Sequence, residues 1–355
     1  MWFRGGRTAH ILVWHRSADR SCDGDATVMT PRRLIASSLV AAGVLWFQAA
    51  GWFEPGRVAA QPAPSQTRPV NARIDSDRLM STVKTLADPK LEGRAAGSPG
   101  GIAARAWILD RFKEFGLQPV AGAHVHPFTF TRTIASGREE GSGANVLGMC
   151  LGSDPTLPYF VLSAHYDHVG IRDNQVYPGA DDNASGVAVL LEIAAFCQKT
   201  PFRRTILFAA FDAEERGLQG ARALLAKPPV PKERLGLNIN LDMVSRSAKR
   251  EIFVAGTYHY PDLKAPIEHI AKRAPITVLF GHDKPVAIAG GLDDWTNQSD
   301  HGPFHDASIP FVYFGVEDHP DYHKPTDTAD KIDRGFFADA AETILDAMLA
   351  LDRAR

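Results

Sequence analysis

Tyr159-Phe-Val-Leu-Ser-Ala-His-Tyr-Asp-His168 begins as an almost unbroken apolar run and ends in two imidazoles and a carboxylate. A strand buried on both faces reads as a near-continuous hydrophobic run. In open α/β sheets, ligands gather beyond the carboxyl ends of the strands. This one segment therefore predicts a strand inside a sheet with a chemical site at its end.

The pattern repeats outward from there. Residues 183–197 have helical spacing, 205–211 read as a second buried strand, and 218–226 as another helix. Further strands are expected at 237–244, 252–255 and 309–314, with helices at 262–272 and 336–351. On the other side lie a strand at 145–151, strand-like alternation at 126–130, and a loop by composition at 92–100. Helices are expected at 75–86 and 102–115, the second closed by Gly116. Strands separated by helices imply an α/β fold, a mostly parallel sheet with helices on both faces.

The chain has 355 residues, 45% hydrophobic and 23% charged, the balance of a globular protein. A formal charge of −2 gives no broad basic surface for phosphates, which argues against nucleic acid as a partner. Met29-Thr-Pro-Arg-Arg33 precedes an apolar run at 34–53 and the small residues Val58-Ala-Ala60. That order reads as a secretory signal over 29–60, with an anchor as the alternative because the run is long enough to span a bilayer. Export to the periplasm or the extracellular space is therefore expected, with membrane contact only if the segment is uncleaved. Residues 1–28 show no domain-like pattern, 61–70 form a Pro-rich linker, and the folded domain is expected over 71–355. Cys150 and Cys197 sit in apolar segments; in an oxidising compartment they could pair, and two buried free thiols are the preferred reading. No C-x-x-C occurs, which excludes a thiolate zinc site.

The polar residues after the strands fall into a series. His165-Tyr-Asp-His168 follows the strand at 159–164, and Gly179-Ala-Asp-Asp-Asn-Ala-Ser-Gly186 opens the next helix. Asp212-Ala-Glu-Glu215 follows 205–211, Asp242 ends the 237–241 run, and Asp321-Tyr-His323 lies near the end. Singly, each has a bland reading: helix caps for Asp181 and Asp182, a solvated turn for Glu214 and Glu215, a satisfied histidine. Together they offer two imidazoles and three carboxylates at one rim, a donor set for divalent metals. His165 and Asp167 are two apart on a strand end and can share a face, so Asp167 could take the second ring N–H of His165. Adjacent Glu214 and Glu215 point different ways, so one can bind metal while the other handles a proton.

With these pieces in this order the sequence resembles the M28 family of zinc aminopeptidases, from Leu91-Glu-Gly-Arg94 to Asp333. The resemblance implies a zinc-exopeptidase-like α/β/α sandwich around a mixed, mostly parallel sheet. It also implies two zinc ions per chain. His165 and Asp242 would hold one, Glu215 and His323 the other. Asp181 would bridge them, with a cis peptide bond between Asp181 and Asp182. Glu214 would be the general base, and Tyr322 the donor to the oxyanion. Asp300 and His301, in Ser299-Asp-His-Gly-Pro-Phe304, would support the site without binding metal. The implied substrates are peptides with a free amino end. A single-zinc glutaminyl cyclase and a non-catalytic binding domain on the same scaffold are the rival readings. A serine hydrolase is disfavoured because no G-x-S-x-G is present.

Overall fold

The computed structural model describes residues 73–354. The expectations for the 1–28 extension, the 29–60 signal or anchor and the 61–70 linker lie outside the described residues. Among the described residues, no helix is long and apolar enough to cross a membrane.

The helices are α1 (Ser76–Leu86), α2 (Pro99–Glu114), α3 (Gly186–Lys199), α4 (Gln219–Ala226), α5 (Lys264–Ala271), α6 (His301–Asp306) and α7 (Arg334–Ala354). The strands are β1 (Val125–Ile134), β2 (Gly137–Cys150), β3 (Tyr159–His165), β4 (Gly170–Arg172), β5 (Gln175–Tyr177), β6 (Ile206–Phe211), β7 (Leu235–Leu241), β8 (Glu251–Ala255), β9 (Thr277–Phe280) and β10 (Phe311–Gly315). Eight of them form one sheet in the order β1-β2-β6-β3-β7-β10-β8-β9, and β4 pairs with β5 in a separate hairpin. The centre, β6-β3-β7-β10, is parallel throughout. β2 runs antiparallel to β6, and β8 antiparallel to β10, so the sheet is mixed around a parallel core.

Side chains alternate across a strand, and here both faces are covered. Phe160, Leu162 and Ala164 of β3 pack in one layer with α1, α2, α3 and α7. Val161, Leu207, Ala209 and Phe211 pack in the other with Ala221 and Leu224 of α4 and Phe304 of α6. The result is the expected α/β/α sandwich. Helix α3 is buried almost all round, from Gly186 through Ala195, as a helix apolar on every face must be.

The boundaries differ from expectation where local chemistry overrides periodicity. Helix α2 starts at Pro99 because the Ser98 side chain accepts from Gly101 N and Pro99 suits the first turn. Helix α3 starts at Gly186, not Asn183, because residues 180–185 form a wide turn containing the cis peptide bond. The β4–β5 hairpin carries too short an apolar pattern to be read in advance.

The reading of Cys150 and Cys197 as free thiols is corrected: they form a disulfide. Cys150 ends β2 and Cys197 lies in the last turn of α3, with Cα atoms 6.4 Å apart. Buried thiols and buried disulfides look alike in sequence, and only the packing of α3 against β2 brings this pair within bonding reach. A bond spanning 47 residues restricts the unfolded chain. Cys197→Ser is therefore expected to cost about 4 kcal/mol of stability. Urea unfolding with and without reductant checks this: reductant should lower the wild-type midpoint and leave that of Cys197→Ser unchanged.

Candidate metal centre

The carboxyl ends of β6, β3, β7 and β10 lie at one rim, so adjacent strands deliver their polar termini side by side. His165 closes β3, Asp212 follows β6, and Asp242 follows β7. The turn after β6 presents Glu214 and Glu215, and the loop after β10 brings His319 and His323.

Two groups of donor atoms converge. The first is His165, Glu214 and Asp242; the second is His168, Asp182, Glu215 and His323. Within each, the offered atoms lie within 4.8 Å of one another. His165 Nε2 is 3.2 Å from Asp242 Oδ1 and 3.5 Å from Asp182 Oδ1. His323 Nε2 is 3.0 Å from Asp182 Oδ2 and 3.3 Å from Glu215 Oε1. Asp182 thus turns one oxygen to each group.

Asp181 is not part of this convergence. Its Oδ1 accepts from Ser245 N (2.9 Å) and Ser245 Oγ (2.6 Å), and its Oδ2 faces His319 Nε2 at 3.2 Å. The cis peptide bond is likewise not at Asp181–Asp182; it joins Asp182 to Asn183. The first departure follows from the turn, in which Asp181 is the carboxylate taken up by Ser245 while Asp182 faces the donor groups. Surrounding contacts fix the turn. Asp327 accepts from the backbone N–H of Asp181 and Asp182 at 3.0 and 3.2 Å. Asn183 donates to Leu241 O and accepts from Gly186 N and Met243 N. Gly179 leads in at φ +57°, where an added Cβ would lie 2.1 Å from Asp182 O.

Asp167 also acts differently from the spacing argument. Its carboxylate sits 3.8 Å from His165 Nδ1, which instead donates to the Asp167 backbone carbonyl at 3.1 Å. The carboxylate accepts from Glu214 N (3.0 Å) and Glu215 N (3.3 Å), because two amide donors of the β6 turn converge on it. It therefore holds the turn that carries both glutamates. The carbonyl keeps a proton on His165 Nδ1 and leaves Nε2 facing Asp242 and Asp182.

The two glutamates are driven apart in acidity. Burial pushes Glu214 well above the usual carboxylate range, and the nearby Asp300, Asp242 and Glu215 charges reinforce it against His165. Burial would also raise Glu215, but His168 and His323 outweigh it and hold it well below. Such divergence gives two neighbouring carboxyls opposite proton affinities. Burial would lower His165, yet the Asp242, Glu214 and Asp182 carboxylates hold it well above the usual imidazole range. A cation is what this arrangement favours at Nε2.

Several buried donor atoms have no hydrogen bond of regular geometry, as atoms suited to a metal would. Glu215 Oε1, both ring nitrogens of His168 and both oxygens of Asp300 make no hydrogen bond of regular geometry. His168 Nδ1 and Glu215 Oε1 are nevertheless 2.8 Å apart. Imidazole and carboxylate atoms that face one another without regular hydrogen-bond geometry fit the donor chemistry of zinc. Asp300, fully buried, has its carboxyl pushed up to about 7 by desolvation. His301 Nε2 bonds Trp295 O at 2.8 Å, and His301 stands outside both donor groups.

Comparison with known proteins decides the family. The profile of Peptidase family M28 matches residues 145–348.

The chain belongs to peptidase family M28.

Aminopeptidase YwaD of Bacillus subtilis (strain 168) is 30% identical over 219 residues, 58% of this chain and 44% of that protein. The chain spans about half the length of the curated relatives it matches. Among solved structures, an aminopeptidase from Aneurinibacillus sp. strain AM-1 superposes with a TM-score of 0.63 at 19% identity, covering 78% of this chain and 93% of that one. A Bacteroides thetaiotaomicron glutaminyl cyclase superposes with a TM-score of 0.62 at 20% identity, covering 78% and 98%. These likenesses show that the α/β fold is shared by aminopeptidases and a cyclase, so the site must decide between the two chemistries.

Over the site opens a cleft lined by Trp295, Tyr313, Val316, Met243 and Tyr322. Tyr322 stacks on His323, ring centroids 4.0 Å apart. Burial and the surrounding carboxylates push its phenol far above its ordinary value, so it stays protonated. Tyr313 is committed elsewhere, donating to Asp242 O at 3.1 Å. His168 and Asp182, both in a donor group, stand inside the His165–His168 and Gly179–Gly186 segments, where nothing in the residue pattern distinguishes them from a satisfied histidine and a helix cap. Trp295 stands in neither; it reaches the cleft from an irregular loop, stacked on His282 at 3.5 Å.

Proposed function

We propose that this chain is an exported aminopeptidase that uses two zinc ions to release residues from the free amino end of peptides. The observation that carries the reading is Asp182, whose two oxygens face two separate donor groups. One metal would be held by His165 and Asp242, the other by Glu215 and His323, with Asp182 shared between them. Asp182 thereby takes the bridging role that the family resemblance gave to Asp181. His168 lies against Glu215 and would orient it.

Ions bound there would polarise the scissile carbonyl and raise the acidity of water. The chain supplies the proton handling. Glu214 takes the proton of the attacking water and delivers it to the leaving amine, a task suited to a carboxyl with raised proton affinity. The Tyr322 hydroxyl donates to the oxygen that gains charge. Asp167 keeps Glu214 and Glu215 in register through their backbone N–H groups. A rim rich in carboxylates, Asp318 among them, attracts the α-ammonium group of a substrate and offers nothing to a blocked amino end. The Cys150–Cys197 disulfide fits an oxidising compartment and so supports export.

Two measurements on the purified protein test this. Zinc content at saturation should reach two per chain; a plateau at one favours the cyclase chemistry. A free aminoacyl anilide should be hydrolysed at least about 100-fold better in kcat/KM than its N-acetyl form, about 2.7 kcal/mol in transition-state terms. Equal values would point to an endopeptidase or a deacylase.

A further inference from the structure

Leu91-Glu-Gly-Arg94 places a buried cation against the backbone of the segments that carry His165, Asp167 and Asp182. Glu92, Gly93 and Arg94 have φ of 52°, 67° and 53°, a left-handed run that turns the Arg94 side chain inward. Gly93 is needed there, since an added Cβ would lie 2.4 Å from Tyr177 O and 2.5 Å from Gly170 O. Arg94 is 0% exposed. Its guanidinium donates to Tyr166 O (2.8 Å), Leu86 O (2.5 Å), Pro178 O (2.5 Å) and Gly179 O (2.9 Å). Tyr166 lies between His165 and Asp167, and Gly179 opens the turn that presents Asp182. All four bonded acceptors are neutral carbonyls, so the positive charge is not consumed by a direct ion pair. It is felt by Asp182, Asp167, Asp327 and Glu215. Burial lowers the guanidinium to about 10 against their pull, which leaves it charged at neutral pH.

We propose that Arg94 is a resident counter-cation of the metal centre, holding the carboxylate cluster in its folded arrangement before any metal binds. The proposal rests on the reading of that cluster as a metal centre. Arg94 and a bound divalent ion attract the same carboxylates and repel each other. Removing Arg94 should therefore harm the metal-free protein more than the loaded one, and a folded variant should bind zinc more tightly than wild type. A residue that merely braced the four carbonyls would have the opposite signature: loosened ligand segments would weaken zinc, and the stability deficit would be equal or larger with metal.

The test compares thermal unfolding of full-length wild type, Arg94→Met and Arg94→Lys, each with a chelator and with saturating zinc, alongside zinc affinity by competition. Wild type is titrated first; if it takes up no zinc, the metal-centre reading fails on its own. Arg94→Met should lose about 10 °C or more with chelator and less than half of that with zinc. Folding only in zinc is the limiting case and also supports the proposal. Arg94→Lys keeps the charge with fewer hydrogen bonds, so its deficit should be the same in both conditions. Equal deficits for Arg94→Met, failure to fold in both conditions, or a chelator-specific deficit in Arg94→Lys as large as in Arg94→Met would each overturn it.

Discussion

Glu214→Gln is expected to keep both zinc ions and lose turnover by about 10²- to 10⁴-fold, the range that a positioned acid–base group supplies. The substitution preserves shape and removes only the ability to accept a proton. Glu214 is the group to target because its neighbours leave it the task. Glu215, one residue on, is held well below the usual carboxylate range by two imidazoles, whereas burial and three nearby carboxylates push Glu214 up. Glu215→Gln should instead weaken one metal, seen as zinc content falling below two per chain at limiting zinc. Near wild-type kcat for Glu214→Gln would remove it from the mechanism. Loss of zinc in that variant would make Glu214 a ligand alongside His165 and Asp242, whose donor atoms it adjoins.

Asp182→Ala should be more severe and should act on both metals at once. Its two oxygens lie 3.5 Å from His165 Nε2 and 3.0 Å from His323 Nε2, so each donor group loses a carboxylate. Zinc should fall below one per chain under conditions that load wild type with two, and activity should drop by at least about 10³-fold, more than the 10- to 100-fold typical of losses behind the ligands. Asp181→Asn is the companion. Its carboxylate is bonded to Ser245 and His319, so that variant should lose stability first and keep two zinc ions in the fraction that folds. If Asp181→Asn lost both metals while Asp182→Ala kept them, the family expectation would stand and the geometry would be misread. Zinc analysis and denaturant unfolding on the same preparations separate the two results.

The contrast between these aspartates shows what the sequence could and could not convey. The sheet was legible because a buried parallel strand leaves a continuous apolar run, as 159–164 and 205–211 do. The rim was legible because His165 and Asp242 close such runs and Glu215 follows one within a short turn, where ligands gather. Which of two adjacent identical carboxylates faces the centre was not legible, since that depends on a turn set by contacts from Asp327, Ser245 and the end of β7. Asp167 lies beside the donor groups, but its partners could not be read from spacing. The choice between an imidazole and two converging amides depends on how the β6 turn closes over it. Arg94 was hidden for a related reason: arginine is ordinarily an exposed residue, and only the left-handed backbone at 92–94 drives this one inward.

The disulfide has a consequence for what a single backbone cut would do. Cys150 and Cys197 close a covalent ring that contains His165, His168, Asp182 and the β4–β5 hairpin, where Ile171 is 52% exposed. A cut in that hairpin would sever His165 and His168 from every other donor. The ring keeps the two fragments in one molecule, so rejoining them is an intramolecular event that dilution cannot prevent. A nicked chain could thus outlast its own cleavage for as long as the surroundings stay oxidising.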